Sequence, residues 1–527
     1  MSARLLGRED RAHPAFFWLG SAAVTLGVAL HLPMFFEAAA MNFQLVGMAV
    51  DWRMMLGMAL IVAGTASGWY GLLPPARGEV PRTLSAELAD ATAPAREGEL
   101  AWAHWQLMLV LALGLIIDSM KPASLGFTIP GMLQEYGLSR AIVALLPFAA
   151  LTGLTIGSYV WGVIGDQVGR RAAILLSGIM FVGTAICGSM PSFAWNLLMC
   201  FFMGLAAGGM LPITYTLLAE CLPTRHRGWA LVLLGGLGLI GGYFAASGCA
   251  ALFEPYFGWR IMWLLNAPTG LILILCNHLI PESPRFLLMR GHIRQVREAA
   301  ARFGVALDLR QWSEAAPAQR HADSTAALWR FPLRGTTATL NLVGVAWGLI
   351  NFGLLLWLPA ELRNRGWSVA GSDVLLFRSA LIALPTMFAV AWLYSRWSTK
   401  WTLFALAVLT AAGLVGLSLI DAPIPWIHDH PIMLFSLLMV GVNGIIAVLL
   451  PYSAENYPVL VRGRGTGLVA GSSKLGGLAA QALTIAALVP GLGAAALALA
   501  APMAVAAGMV ARYGKETRNR RLADFDH

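Results

Sequence analysis

Long apolar runs alternate with short polar breaks along almost the whole chain. Fourteen runs can be placed, at about 14–36, 54–74, 103–128, 141–164, 172–190, 193–218, 229–251, 259–280, 335–360, 374–394, 400–420, 431–452, 465–487 and 490–511. A helix of roughly 20 apolar residues crosses the ~30 Å hydrocarbon layer of a bilayer, so each run predicts a membrane-spanning helix. An even number of crossings returns both termini to one side. Assigning the loops alternately puts Arg4, Arg8, Arg11, Arg77, Arg82, Arg96, Arg170, Arg171, Arg225, Arg227, Arg396, Lys400, Arg462, Arg464, the Arg-rich loop after Pro284 and the tail from Arg512 on that side. The other side receives only Arg53, Arg140, Arg260, Arg363 and Arg365. Basic residues accumulate in cytoplasmic loops, so this split predicts cytoplasmic termini and supports the span count, because a miscounted helix would mix the two sets.

Two polar stretches, 75–100 and 281–334, interrupt the rhythm. They divide the chain into a two-span extension with its linker (1–100), a six-span bundle (101–282), a central cytoplasmic loop (283–334) and a second six-span bundle with a cytoplasmic tail (335–527). The predicted class is an all-α polytopic membrane protein. In the central loop, Ser283-Pro284-Arg285 starts a candidate basic amphipathic helix that would lay Phe286, Leu287, Ile293 and Val296 against lipid headgroups; a solvated connector is the other reading. Residues 1–13 are basic and lead into an apolar run without a small-residue cleavage site, which predicts a retained first span and not a signal peptide.

Composition agrees. Of 527 residues 58% are apolar and 12% charged, with mean hydropathy +0.69, which excludes a soluble or disordered chain. The net charge of +9 is the one-sided loop bias, not a nucleic-acid footprint. Cys187, Cys200, Cys221, Cys249 and Cys276 are scattered singly and read as small packing residues.

An internal repeat carries the most information. Ala219, Glu220, Pro223, Arg227 and Gly228 recur with every offset kept as Ala454, Glu455, Pro458, Arg462 and Gly463. In both copies one span ends at the glutamate and the next begins after Arg-Gly. Parallel repeats of six spans are typical of secondary transporters, with substrate held near the midplane between halves that rock against each other. Between the second and third core spans lies the turn Gly165-Asp166-Gln167-Val168-Gly169-Arg170-Arg171. Its glycines let helix ends approach, and its carboxylate and guanidinium groups can latch them. Tyr394 to Lys400 is a degenerate copy at the same point of the second half.

With these motifs the chain resembles the major facilitator superfamily from about residue 101 to 520. Pro281-Glu282-Ser283-Pro284-Arg285-Phe286-Leu287 and Glu516-Thr517 are similar to its sugar-porter and organic-ion transporter branches. The resemblance implies alternating access through two six-helix bundles, with cytoplasmic charged motifs holding the outward-facing state. By position, Gly165, Asp166, Gly169, Arg170, Arg171, Glu220, Arg227, Glu455 and Arg462 would form that gating set, in a conformational role. The first two spans fall outside the resemblance and would pack on the outside of the bundle, with Glu37, Asp51 and Arg53 solvated in their external connection. The chain departs from the family at Met199 to Gly204, where an arginine is often present, and at Asp118-Ser119-Met120-Lys121, in place of an acidic-aromatic pattern.

Ionisable residues inside apolar runs are costly and usually functional. Asp118 and Lys121 stand three apart on the first core span, close enough to share a cavity and to pair. Arg378 lies just inside the eighth, where snorkelling to the surface is the alternative. Lys474 sits among small residues of the eleventh. Three cations and one carboxylate would attract an anion, and the organic-ion resemblance implies the same for a cation at position 474. Asp118 is the candidate proton-coupling carboxylate; Lys121, Asn351, Arg378, Asn443 and Lys474 are the candidate substrate-binding residues. Tyr215, Tyr243, Trp347, Phe352 and Trp357 are candidate ring-stacking walls or plain packing aromatics.

Gly236 to Gly241 fits a dinucleotide pattern, but inside a membrane span it reads as helix packing. No phosphate loop, nucleophile elbow or zinc-protease motif is present, so neither an enzyme nor ATP-driven pumping has support. No cofactor or metal is expected; the proton gradient is the expected energy source. The reading is a proton-coupled symporter of a small organic carboxylate. Its partners are that substrate, protons and the lipid bilayer, with no nucleic acid. High arginine relative to lysine suggests a bacterial inner membrane. A drug or metabolite efflux antiporter and a transporter-derived sensor or scaffold remain the alternatives.

Overall fold

The computed structural model describes residues 14–73, 99–290, 293–303, 328–425, 429–458 and 461–518. Its elements are helices in every described segment. Eight long ones come first: α1 (Pro14–Met41), α2 (Trp52–Leu72), α3 (Trp102–Tyr136), α4 (Arg140–Gln167), α5 (Arg170–Ser189), α6 (Phe193–Cys221), α7 (Arg225–Phe257) and α8 (Ile261–Leu279). Two short helices follow, α9 (Pro284–Met289) and α10 (Ile293–Phe303). Then come α11 (Arg334–Asn364), α12 (Val369–Arg396), α13 (Thr399–Ser418), α14 (Pro431–Asn456), α15 (Arg462–Ile485) and α16 (Leu492–Tyr513). Thirteen of the long helices are apolar enough to cross a membrane on composition alone. The fourteenth, α15, is diluted by Arg464, Lys474 and a run of small residues. Reduced hydropathy is affordable in a helix that turns one face to a polar cavity instead of lipid.

The amino-terminal pair forms a glycine-packed hairpin. A Cβ on Gly20 would lie 2.4 Å from Gly64 O, so the two backbones touch where side chains would hold them apart. Asp51 caps α2, accepting from Met54 N at 2.9 Å. Glu37, Asp51 and Arg53 are exposed. The hairpin lies outside the first bundle along α5, with Gly68 against Ile179 and Ile61 against Gly183. Its connecting loop is fastened to the core, because Leu45 N and Val46 N donate to Glu135 Oε1 at 2.8 and 3.3 Å. The face on which α1 begins and α16 ends is called the terminal face below; the other is the opposite face.

Helices α3–α8 and α11–α16 form two bundles of six. They meet where α7 packs along α12 and α14, where α4 touches α15, and where α3 reaches the end of α11. The stretch Gly236 to Gly241 is helix-packing surface, with Gly236 on Met387 and Gly238 on Leu115. Of the apolar residues after Pro284 expected on lipid headgroups, the side chain of Ile293 lies outside the described residues. Phe286, Leu287 and Val296 are buried in the protein. Phe303 is buried too, its ring 5.4 Å from that of His104 on α3. The amphipathic face found a protein surface to cover at the base of the first bundle, which satisfies it as well as headgroups would.

Candidate functional site

A cavity of about 560 Å³ lies between the bundles, within the range of roughly 300–1,000 Å³ usual for small-ligand sites. Asp118 and Ser119 of α3, Thr155 and Ser158 of α4, Asn351 of α11, Asn443 of α14 and Ser473 and Lys474 of α15 supply its polar lining. Phe127, Tyr159, Tyr243, Trp347 and Phe352 supply aromatic walls. Trp347 is fixed by Nε1 donating to Val442 O at 2.8 Å, and its ring meets Phe352 edge-on at 5.7 Å. Asn351 sits in a widened, π-helical stretch of α11, Leu349–Leu354, a local irregularity frequent at functional sites. Asn443 donates Nδ2 to Met439 O at 2.9 Å within its own helix. Asp118 is buried, and its Oδ1 has no hydrogen-bond partner among the described residues. Lys474 donates Nζ to Ser158 Oγ, bridging the two bundles at mid-depth.

The structure therefore brings together Asp118, Asn351, Asn443 and Lys474 but removes two of the expected cations. Lys121 is fully buried and turned from the cavity toward α5. Its Nζ donates to Phe181 O at 2.5 Å and Thr184 Oγ1 at 3.1 Å on α5, and it forms no ion pair with Asp118. Arg378 is exposed and does not line the cavity, as the snorkelling alternative requires. One cation now faces one carboxylate, where three to one was expected. Tyr215 and Trp357 also lie outside the cavity. Ser158, the lysine's partner, carried no sequence signal.

On the opposite face the bundles are joined by charge. Arg140 of α4 pairs with Glu361 of α11 and stacks over Trp357, 4.6 Å from its ring centre. Arg363 of α11 holds Glu254 of α7 at 2.8 Å and Asp373 of α12 at 3.2 Å. Toward the terminal face α4 and α15 diverge, with no atom within 4 Å of a Cβ built on Gly162, Gly467 or Gly471. The cavity is thus sealed from one side and opens toward the other. Of the few arginines in the opposite-face loops, Arg140 and Arg363 pair across the bundles, while Arg260 and Arg365 pair within their own.

The repeated motifs form two matching latches on the terminal face, and a Cβ on Gly228 of the first would lie 3.3 Å from Glu455 Oε1 of the second. In the first, Arg170 reaches Asp166 at 3.1 Å, Glu220 at 3.5 Å and Gly165 O at 3.1 Å. Arg171 donates to Asn277 Oδ1 at 3.0 Å and Arg227 to Leu222 O at 3.4 Å. Glu282 Oε1 accepts from Arg170 N at 2.8 Å and Arg171 N at 3.4 Å, placing a carboxylate on the amino end of α5, where the helix dipole favours it. Gly169 has φ +121°, and a Cβ there would lie 2.3 Å from Glu282 Oε2, so only glycine admits this contact. Ser283 Oγ then donates to Glu220 at 2.5 Å. In the second, Glu516 Oε1 accepts from Thr399 N at 3.0 Å at the start of α13, and Thr517 Oγ1 and Tyr394 Oη donate to Glu455 at 2.6 and 2.7 Å. The side chain of Arg462 lies outside the described residues. Burial pushes the Glu282 carboxyl above its ordinary range, against the opposing effect of backbone N–H groups. Glu516 is also partly buried, yet donors from Ser398, Thr399 and Arg518 outweigh that and hold it below the ordinary range.

Paired six-helix bundles around a central cavity, with duplicated latches, define a membrane transporter fold. The profile of the Major Facilitator Superfamily matches residues 107–481, and the chain belongs to that family of transporters, not to an enzyme family. It is 28% identical over 387 residues to the niacin transporter NiaP of Acinetobacter baylyi, covering 72% of this chain and 85% of that one. It is 26% identical over 406 residues to the 4-hydroxybenzoate transporter PcaK of the same organism, covering 73% and 85%. A structure of the xylose transporter XylE from E. coli superposes with TM-score 0.64 at 16% identity, over 80% of this chain and all of that one. The likeness at that identity is one of fold.

Proposed function

We propose that the protein imports a small monocyclic aromatic carboxylate with protons, by alternating access across a bacterial inner membrane with both termini cytoplasmic. The observation that carries this is a single cavity holding one cation, one carboxylate, two amides and aromatic walls. Lys474 receives the substrate carboxylate in place of Ser158. Phe127, Tyr243, Trp347 and Phe352 flank the ring, and Asn351 and Asn443 bond its polar substituents. Asp118, lacking a partner on Oδ1, takes the proton that accompanies the substrate. With a cytoplasmic terminal face, the conformation described here is the inward-facing one. The two named relatives support the substrate class, since niacin and 4-hydroxybenzoate are both aromatic monocarboxylates.

Uptake of labelled nicotinate and 4-hydroxybenzoate into vesicles, with and without a pH gradient, tests the proposal. Accumulation should need the gradient and should collapse in Lys474→Ala. Equal uptake by that variant would remove the cavity assignment, and gradient-independent uptake would remove the proton coupling.

A further inference from the structure

Among the described residues, three of the four ion-paired arginines on the opposite face, Arg140, Arg260 and Arg365, each meet one carboxylate. Arg363 meets two. Glu254 comes from the first bundle, while Arg363 and Asp373 come from the second, so the cluster exists only while the bundles are closed on this face. Side-chain exposure is 4% for Glu254, 0% for Asp373 and 14% for Arg363, and Glu254 Oε2 has no hydrogen-bond partner among the described residues. Two buried carboxylates against one guanidinium leave one negative charge without compensation, which a dry site tolerates poorly.

Neighbouring groups do not supply the missing charge. On α11, Glu361 is taken by Arg140. At the α3 and α8 ends, Glu135 is taken by Arg260. On α12, Ser372 Oγ lies 3.3 Å from Asp373 Oδ1, and Arg378 is exposed. No ionisable side chain occurs on α14 between Pro431 and Leu450. On α7 itself the titratable groups nearest Glu254 are the exposed Tyr256 phenol and the Cys249 thiol, with the Tyr243 phenol about three turns away, and none of them carries a positive charge.

We propose that Glu254, Asp373 and Arg363 form a proton-binding latch, which closes the opposite face by taking up one proton shared between the two carboxyls. The proton cancels the excess charge and gives one carboxyl a hydrogen to donate to the other. When the bundles part, both carboxylates gain water and the proton is released to that side. The closed form binds more protons, so falling pH on the opposite face favours closure. This goes beyond the transport reading and does not depend on which substrate is carried.

The test uses the full-length chain without its native cysteines, carrying Ala123→Cys in the cavity and reconstituted with the opposite face outward. A membrane-impermeant maleimide reports opening, with rates normalised to an exposed reference cysteine on the same face. Labelling should fall at least about threefold between pH ~8 and pH ~5.5. Glu254→Gln, which mimics the protonated form, should label slowly at every pH; Asp373→Asn should do the same and serves if the first variant does not fold. Labelling that is flat with pH in the intact latch, or a pH response that survives both substitutions, would overturn the proposal.

Discussion

At the scale of residues, Lys121 and Lys474 separate what a sequence tells from what it withholds. Both are cations inside apolar runs, and that is legible. Which way each faces is not, because it depends on the rotation of a helix within its bundle. Three residues along an α-helix is about 300°, so Lys121 lies some 60° around α3 from Asp118. That offset is enough to carry it from the cavity to the carbonyl of Phe181. The two lysines should therefore fail differently. Losing a hydrogen bond to a charged group costs about 1.5–3 kcal/mol, and each 1.4 kcal/mol is tenfold in affinity. Lys474→Met should raise the substrate KM tenfold or more. Lys121→Met should leave KM within about twofold and show itself in Tm instead, since it removes only internal contacts. Transport kinetics and a melting curve on both variants check this; a matching KM rise in Lys121→Met would place that side chain back in the cavity.

At the scale of elements, the latches were legible as a repeated pattern, whereas their chemistry was not. Glu220 and Glu455 stand at equivalent offsets, but the carboxylates that cap α5 and α13, Glu282 and Glu516, come from distant segments that only the fold brings to the helix ends. The two caps should part under acid. Glu516 has its carboxyl below the ordinary value, so it stabilises the docked tail above the unfolded pKa of about 4.3, and that contribution is lost as pH falls through the folded value. Glu282 has its carboxyl raised, so the folded state gains relative stability as the pH falls through the raised value and the group protonates. Hydrogen-exchange protection, corrected for intrinsic rates, should drop first at Thr399 on acidification and persist at Arg170 and Arg171. The reverse order would contradict the assignment.

At the scale of the whole molecule, span count, duplication and midpoint follow from composition and spacing because lipid imposes them helix by helix. The direction in which the cavity opens does not follow, because it is a property of two rigid bodies held by a few contacts. Arg140 and Glu361 are one such contact, with Arg140 36% exposed, so solvent screens it and its worth is no more than about 1 kcal/mol. Even so, it is made only in the closed arrangement, and 1 kcal/mol moves a two-state population roughly fivefold. Arg140→Glu should raise the fraction open on the opposite face by that order, read as a longer distance between spin labels at the ends of α4 and α11. Pairing it with Glu361→Arg should restore the original distribution, because the swapped charges attract across the same gap. If the double variant stays open, packing of Trp357 under the guanidinium, and not charge, is what holds the bundles together on that face.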